Sequence, residues 1–251
     1  MPALTEIVRY TNDYLRLDEI TDWPSALNGL QVENDGRIKK IGAAVDASTH
    51  TFNAASERGI DFLLVHHGLF WPGLQPITGA LRRQVGALLA NNIALYSAHL
   101  PLDLHPVVGN NACLAAALGL TNPEPFLETK GQPVGLRAEV EISLGELTRR
   151  LQQSLGGEAK IFAHGPGECR NIGIVTGAAG SEIYAVAQAG VDTFITGEGP
   201  HWAAVAAEEL GLNLLLGGHY ATETFGVKAL AAHLSEKFGV PWEFIDAPTG
   251  L

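Results

Sequence analysis

The 251-residue chain has two cysteines, Cys113 and Cys169, only 16 Lys and Arg, and no long apolar run. Two thiols build neither a disulfide framework nor a cysteine-based zinc site, and so low a count fits a reducing compartment. Against 27 Asp and Glu, the few basic residues leave a formal net charge of −11. A nucleic-acid binder would show a basic face, so nucleic acid is not the expected partner, although one nucleotide in a pocket is compatible with the charge. No stretch reaches the roughly 18 uninterrupted apolar residues of a membrane span. The first twenty residues carry charges throughout and lack the apolar core of a signal peptide. Hydrophobic residues make up 46% and charged residues 17%, enough for a sizeable core and against intrinsic disorder. The length suits one large domain or two small ones. The expectation is an acidic, cytoplasmic globular protein with no membrane partner.

Short apolar strands alternate with helical patterns. Residues 4–15 have the period of an amphipathic helix, with Leu4, Ile7, Val8, Tyr14 and Leu15 on one side. Strands are predicted near 41–45, 61–66 and 93–97, and helices near 49–58, 80–90 and 110–118. Runs this apolar suggest strands covered on both faces, as in a parallel α/β sheet. Residues 121–135 hold Pro123, Pro125, Gly131, Pro133 and Gly135, which makes them the best boundary candidate. Beyond them, 136–142 alternate like an exposed strand, and Ser143-Leu-Gly-Glu146 fits a capping box opening a helix to about 155. The expected division is 1–125 plus 221–251 around an inserted second domain, 126–220.

The two halves resemble each other. Residues 41–68 align without gaps onto 172–199, with identities that include Gly42/Gly173, Gly59/Gly190, Asp61/Asp192 and Gly68/Gly199. Each copy then continues to a strand followed by His-x-x-x-carboxylate, His99 to Asp103 and His219 to Glu223. This reads as a duplicated strand–helix–strand unit. Its polar residues lie at the carboxyl ends of strands, the edge where open α/β sheets bind ligands.

The chemistry gathers at those ends. His66-His67-Gly68 closes an apolar strand, and two imidazoles there suit borderline metals such as Zn, Fe or Mn, although a hydrogen-bonded core pair fits equally. Asp103 adds a hard carboxylate, which alone would read as a helix cap. His219 and Glu223 fall on one face if a helix begins near 221, and Glu223 alone would read as a complement to the helix dipole. Together, His66, His67, Asp103, His219 and Glu223 supply more ligands than the three a single catalytic zinc takes, and suit two divalent ions (Zn, Fe, Mn or Mg) with a bridging water or hydroxide. His99, read as the counterpart of His219, is either a sixth ligand or an orienting group behind the ligands. Glu198 is a candidate for proton transfer alongside it.

These residues resemble the Nif-three-like family of dinuclear-metal proteins, whose members often carry the name GTP cyclohydrolase 1 type 2 homolog. The matching segments are Asn28-Gly-Leu-Gln-Val32, Val45-Asp46, His66-His67-Gly68, Ser97-Ala-His-Leu-Pro-Leu-Asp103, Gly109-Asn110, Thr196-Gly-Glu198 and Gly218-His-Tyr-Ala-Thr-Glu223. They run in family order over nearly the whole chain. The resemblance places the family's metal ligands on His66, His67, Asp103, His219 and Glu223. It implies two interlinked α/β domains with the duplicated units, and a toroidal homohexamer built from dimers. It also implies a GTP cyclohydrolase type of activity on a purine nucleotide.

Two functions compete. In the first, a metal-dependent hydrolase, a hydroxide bridging the metals attacks a purine-ring carbon or a phosphorus centre. In the second, the centre is structural or regulatory, and the protein is a metal-binding scaffold, delivery protein or interaction partner. Other features carry less. Arg82 and Arg83 read as surface charges on a helix, and Thr176-Gly-Ala-Ala-Gly180-Ser181 as a plain tight turn rather than an anion loop. His201 reads as a surface residue and Trp202 has no assigned role. His50, His105, His164 and His233 lack companions at ligand spacing, and Cys113 reads as a small core residue.

Overall fold

The computed structural model describes residues 1–250. The chain divides into two compact units, residues 1–108 with 226–247, and residues 109–225 with the stretch from Pro248 onward. The fold is α/β in both.

The first unit is a five-stranded sheet. Its strands are β1 (Gly29–Val32), β2 (Ile41–Asp46), β3 (Phe62–His67), β4 (Ala94–Ser97) and a late strand, Trp242–Phe244, in the order β1-β4-β3-β2 and then the late strand. β2, β3, β4 and the late strand run parallel, while β1 is antiparallel on the edge. β2 and β3 are buried along nearly their whole length, which explains their unbroken apolar composition. Phe52, Ala55 and Leu88, from the helices Thr49–Glu57 and Gly79–Ala90, pack with Leu63, Val65 and Leu95. The predicted helix 4–15 forms as Leu4–Leu15 and buries Leu4, Ile7, Thr11 and Leu15.

The second unit is a six-stranded mixed sheet. It is built from β5 (Glu124–Thr129), β6 (Gln132–Ser143), β7 (Lys160–Ala163), β8 (Glu168–Val175), β9 (Thr193–Thr196) and β10 (Asn213–Leu216), in the order β5-β6-β8-β9-β10-β7. The late strand of the first unit is β11. Strand alternation sorts the second sheet's residues cleanly. Ile172, Ile174, Ile195 and Leu215 face the helices Asn110–Ala117 and Leu144–Leu155, whereas Val175, Phe194 and Leu214 face Ile183–Gln188 and His201–Leu210.

Three expectations change. The Pro/Gly-rich segment 121–135 is not a linker: β5 and β6 pair antiparallel through it and turn at Lys130-Gly131. Pro125 sits on the sheet's edge strand, where a missing N–H is tolerated. The first crossing between units lies instead at 108/109, because Leu114, Ala115 and Leu118 pack onto the second sheet. The capping box is half formed: Ser143 accepts from the Glu146 N–H, but the Glu146 carboxylate pairs with Arg149 and Arg150.

The duplication is visible rung by rung. Ile41 pairs with Phe62 and Ile172 with Thr193, the aligned positions. The Asp61 carboxylate accepts the Lys39 and Lys40 N–H groups, and Asp192 accepts those of the aligned Arg170 and Asn171. In the third strands, Val65 pairs with Ser97 and Thr196 with Leu216. His99 lies two residues past Ser97, and Gly218 two past Leu216. The counterpart of His99 is therefore Gly218, and His219 stands one residue further on. The counterpart of His67 is Glu198.

Candidate metal centre

In the first unit, β3 ends in His66 and His67, and β4 ends two residues before His99. Parallel pairing of β3 with β4 therefore delivers three imidazoles to one edge. Their ring centroids lie 4.8 Å (His66–His67), 5.0 Å (His66–His99) and 5.8 Å (His67–His99) apart. One ring nitrogen from each lies within 4.8 Å of the others.

Each ring is oriented from its Nδ1 side. His66 is fully buried and its Nδ1 donates to the Ala98 carbonyl at 2.8 Å, which leaves Nε2 as the lone-pair nitrogen. His67 Nδ1 meets the Asp46 carboxylate at 2.8 Å, and His99 Nδ1 meets both Asp22 oxygens at 3.0 and 3.1 Å. Carboxylate–imidazole pairs of this type fix the tautomer and aim the far nitrogen at a metal. The buried Asp103 carboxylate reaches within 3.5 Å of His66 Nε2. Two tetrahedral ligands about 2.0–2.1 Å from one ion stand at about 3.3 Å from each other, so the spacing suits shared coordination.

Asp22 is a hub that the sequence did not single out. It also accepts from the Trp23 N–H, the Leu100 N–H and the Asn28 side-chain amide, while Asn28 Oδ1 accepts the His99 N–H. Burial raises the Asp22 pKa, but hydrogen bonds from His99, Asn28 and Trp23 outweigh it and hold the carboxyl below the usual range. Gln31 is a second clamp. It accepts the Leu69 N–H and donates to the Ala26 and Leu27 carbonyls, and a Cβ on Gly68 would lie 2.2 Å from its Nε2. Asn28, Gln31 and Asp46 thus hold the histidines rather than join them. Trp71 packs edge-to-face on His99, and its Nε1–H is sealed from solvent with no hydrogen-bond partner among the described residues.

In the second unit, His219 opens the short helix His219–Thr222 after β10. Its Nδ1 meets Glu198 at 2.9 Å and its Nε2 meets the buried Glu223 at 3.1 Å. The hydrogen bond to Glu223 pushes the His219 pKa up to about 9, burial opposes it, and Glu198 adds to the rise. An imidazole between two carboxylates holds a proton firmly, and a divalent cation would take that proton's place. Gly177, at φ +72°, makes room for this group, since a Cβ there would lie 2.3 Å from Glu223 Oε1.

The Gly-rich turn that follows β8 is satisfied internally. The Gly177 N–H donates to Thr222, Ala179 to Thr196 and Gly180 to the Glu198 carbonyl, which ties these three N–H groups into the turn itself. His105 is buried and accepts the Val107 and Val108 N–H groups, while His233 bonds Tyr10 at 2.7 Å. Burial lowers the pKa of both, and both serve structure. Arg82, Arg83, His50, His164 and His201 are exposed, and Cys113 is half-buried.

Fold and site define a class: an α/β protein whose strand ends carry carboxylate-braced imidazoles able to hold a metal. The family profile of Duf34/NIF3 (NGG1p interacting factor 3) matches residues 2–249, and the chain belongs to that family. A Deinococcus radiodurans protein named GTP cyclohydrolase 1 type 2 homolog is 42% identical, over 98% of this chain and 94% of its own length. A relative of the same name from Archaeoglobus fulgidus is 40% identical, over 99% of both chains. A crystal structure of a Thermus thermophilus protein superposes with a TM-score of 0.91 at 42% identity, covering 99% of this chain and 100% of that one.

Proposed function

We propose that this protein holds two divalent ions through His66, His67, Asp103, His219 and Glu223 and hydrolyses a purine nucleotide, as the name carried by its relatives suggests. One observation carries the reading. Three imidazoles braced at Nδ1 converge with a buried carboxylate at the carboxyl ends of the parallel strands β3 and β4. When bound, the ions supply Lewis acidity and a water acidified to near neutrality.

The chain's own groups do the rest. Asp46 and Asp22 keep His67 and His99 in the tautomer that presents Nε2. Glu198 holds the His219 ring through Nδ1 and accepts or returns a proton there, and His99 is the second proton-transfer candidate. On a purine, water adds to the carbon between the two imidazole-ring nitrogens. One C–N bond then breaks and the departing nitrogen takes the proton. Self-association, as a toroidal hexamer in the cytoplasm, is part of the same reading. The exposed Tyr184–Trp202 stack is the kind of apolar surface that self-association covers.

The test is to purify the chain with its native metal, count ions per chain, and assay GTP, other purine nucleotides and phosphoesters after metal restoration. Two ions with turnover, lost in His67→Ala, is the expected result. Two ions with no turnover on any substrate would instead favour the scaffold function, and fewer than one ion after reconstitution would count against both. Light scattering gives the assembly mass in the same preparation.

A further inference from the structure

Two tryptophans stand at His99. Trp71 meets it edge-to-face, ring centroids 4.8 Å apart at 82°, and lies 6.1 Å from His67. Trp23 meets His99 at 5.8 Å and 65°. Each is followed by a proline, Pro24 or Pro72, which fixes φ and stiffens its turn. Trp23 is also tied by its N–H to Asp22, the carboxylate that holds His99. Neither ring is spent on filling the core: Trp23 is 43% exposed and Trp71 is half-buried. No lysine or arginine stands within four residues of His66, His67, His99 or Asp103 in the sequence. The imidazoles are lined by the carboxylates Asp22, Asp46 and Asp103 and by the two indoles, with no cation close in sequence for phosphate charge.

We propose that Trp23 and Trp71 form an aromatic rim that stacks a flat heteroaromatic ring of the nucleobase class beside the histidine cluster, so that the substrate is recognised through its ring rather than its phosphates. The proposal rests on the hydrolase reading above and names the part of the substrate that is gripped. Tryptophan is suited to this work, because every base presents a π-face and a rigid indole loses little freedom on stacking.

The metal-reconstituted full chain is titrated calorimetrically with guanosine, GTP and ribose 5-phosphate. Guanosine and GTP should bind with similar affinity and ribose 5-phosphate should not bind detectably. Trp71→Ala and Trp23→Ala should each weaken guanosine about tenfold, as loss of base stacking does, and Trp71→Phe should retain most of the affinity. Metal content and melting temperature are checked for every variant. If Trp71→Ala does not fold, Trp23→Ala and Trp71→Leu carry the comparison. The rim is overturned if guanosine fails to bind the unmodified chain, if its affinity is unchanged in the tryptophan variants at full metal content, or if ribose 5-phosphate binds as well. Guanosine binding that depends on the tryptophans, without turnover of any nucleotide, removes the hydrolase reading and keeps the rim. Turnover with unaltered guanosine affinity in the variants does the reverse.

Discussion

Asp22 shows how much of a candidate metal centre lies behind its imidazoles. One carboxylate accepts from the His99 ring, two backbone N–H groups and the Asn28 amide. Removing it frees the His99 ring and strands buried donors. Asp22→Ala should lower stability by about 1–3 kcal/mol and, with His99 as a sixth ligand, metal affinity about 10–100-fold. Competition with a chromophoric chelator and a denaturant midpoint measure the two effects, and full affinity in the variant would show that His99 needs no brace. His219 carries a pH signature. Its pKa in the metal-free fold, about 9, exceeds the ordinary 6.5. The stability it contributes is therefore fully present below about pH 6.5 and fades as pH rises through about 9. In the metal-free chain, the melting-temperature advantage of the native sequence over Glu223→Gln should shrink across that window. A constant advantage would contradict the pairing. The histidines and carboxylates that the fold gathers at these strand ends were legible in the sequence because strand-end histidines with nearby carboxylates are a local pattern. Asp22 was not, because its bond to His99 spans 77 residues and its own surroundings, Thr21 and Trp23, look like any turn.

Among the elements, the duplicated strand–helix–strand unit was the most readable feature and also the one that misled at its end. The identities at Asp61/Asp192 correspond to a shared device, a carboxylate that accepts two successive N–H groups, just ahead of β2 in the first copy and within β8 in the second. Asp61→Ala and Asp192→Ala should each cost about 1–3 kcal/mol, since each leaves two N–H groups without their acceptor. Chemical denaturation of the two variants measures this. A loss confined to one of them would mean that the copies have diverged in what holds them. Past the third strand the equivalence slips by a residue, so His99 and His219 are not counterparts; spacing alone does not reveal which rung a strand ends on. The 136–142 strand was read correctly as part of β6, but its hairpin partner β5 (Glu124–Thr129) was missed for a related reason. Prolines that signal a linker are also admitted on an edge strand, and edge position is a property of the sheet, not of the segment.

At the scale of the whole molecule, each unit has its own sheet and core, which explains why composition and periodicity were enough to anticipate an α/β fold. The late boundaries were harder to place, because the helix Asn110–Ala117 has a core-facing pattern that does not say which core it faces. Bound metal should be part of the molecule's stability. Ions that bind only the folded chain add about 2.7 kcal/mol at a hundredfold excess over Kd. Chelation followed by scanning calorimetry should lower the melting temperature, and restoring the metal should recover it. An unchanged transition would mean that no ion is held by the native state.

The pairing of β11 with β2 joins residues 242–244 to 41–43. During synthesis the first sheet therefore waits, with the β2 edge bare, while the ribosome completes some two hundred further residues; the second unit, 109–225, emerges whole in that interval. A nascent chain released before Trp242 leaves that edge open to a neighbouring chain. Such truncated products should collect in the insoluble fraction, and adding the missing segment as a separate peptide should rescue part of them.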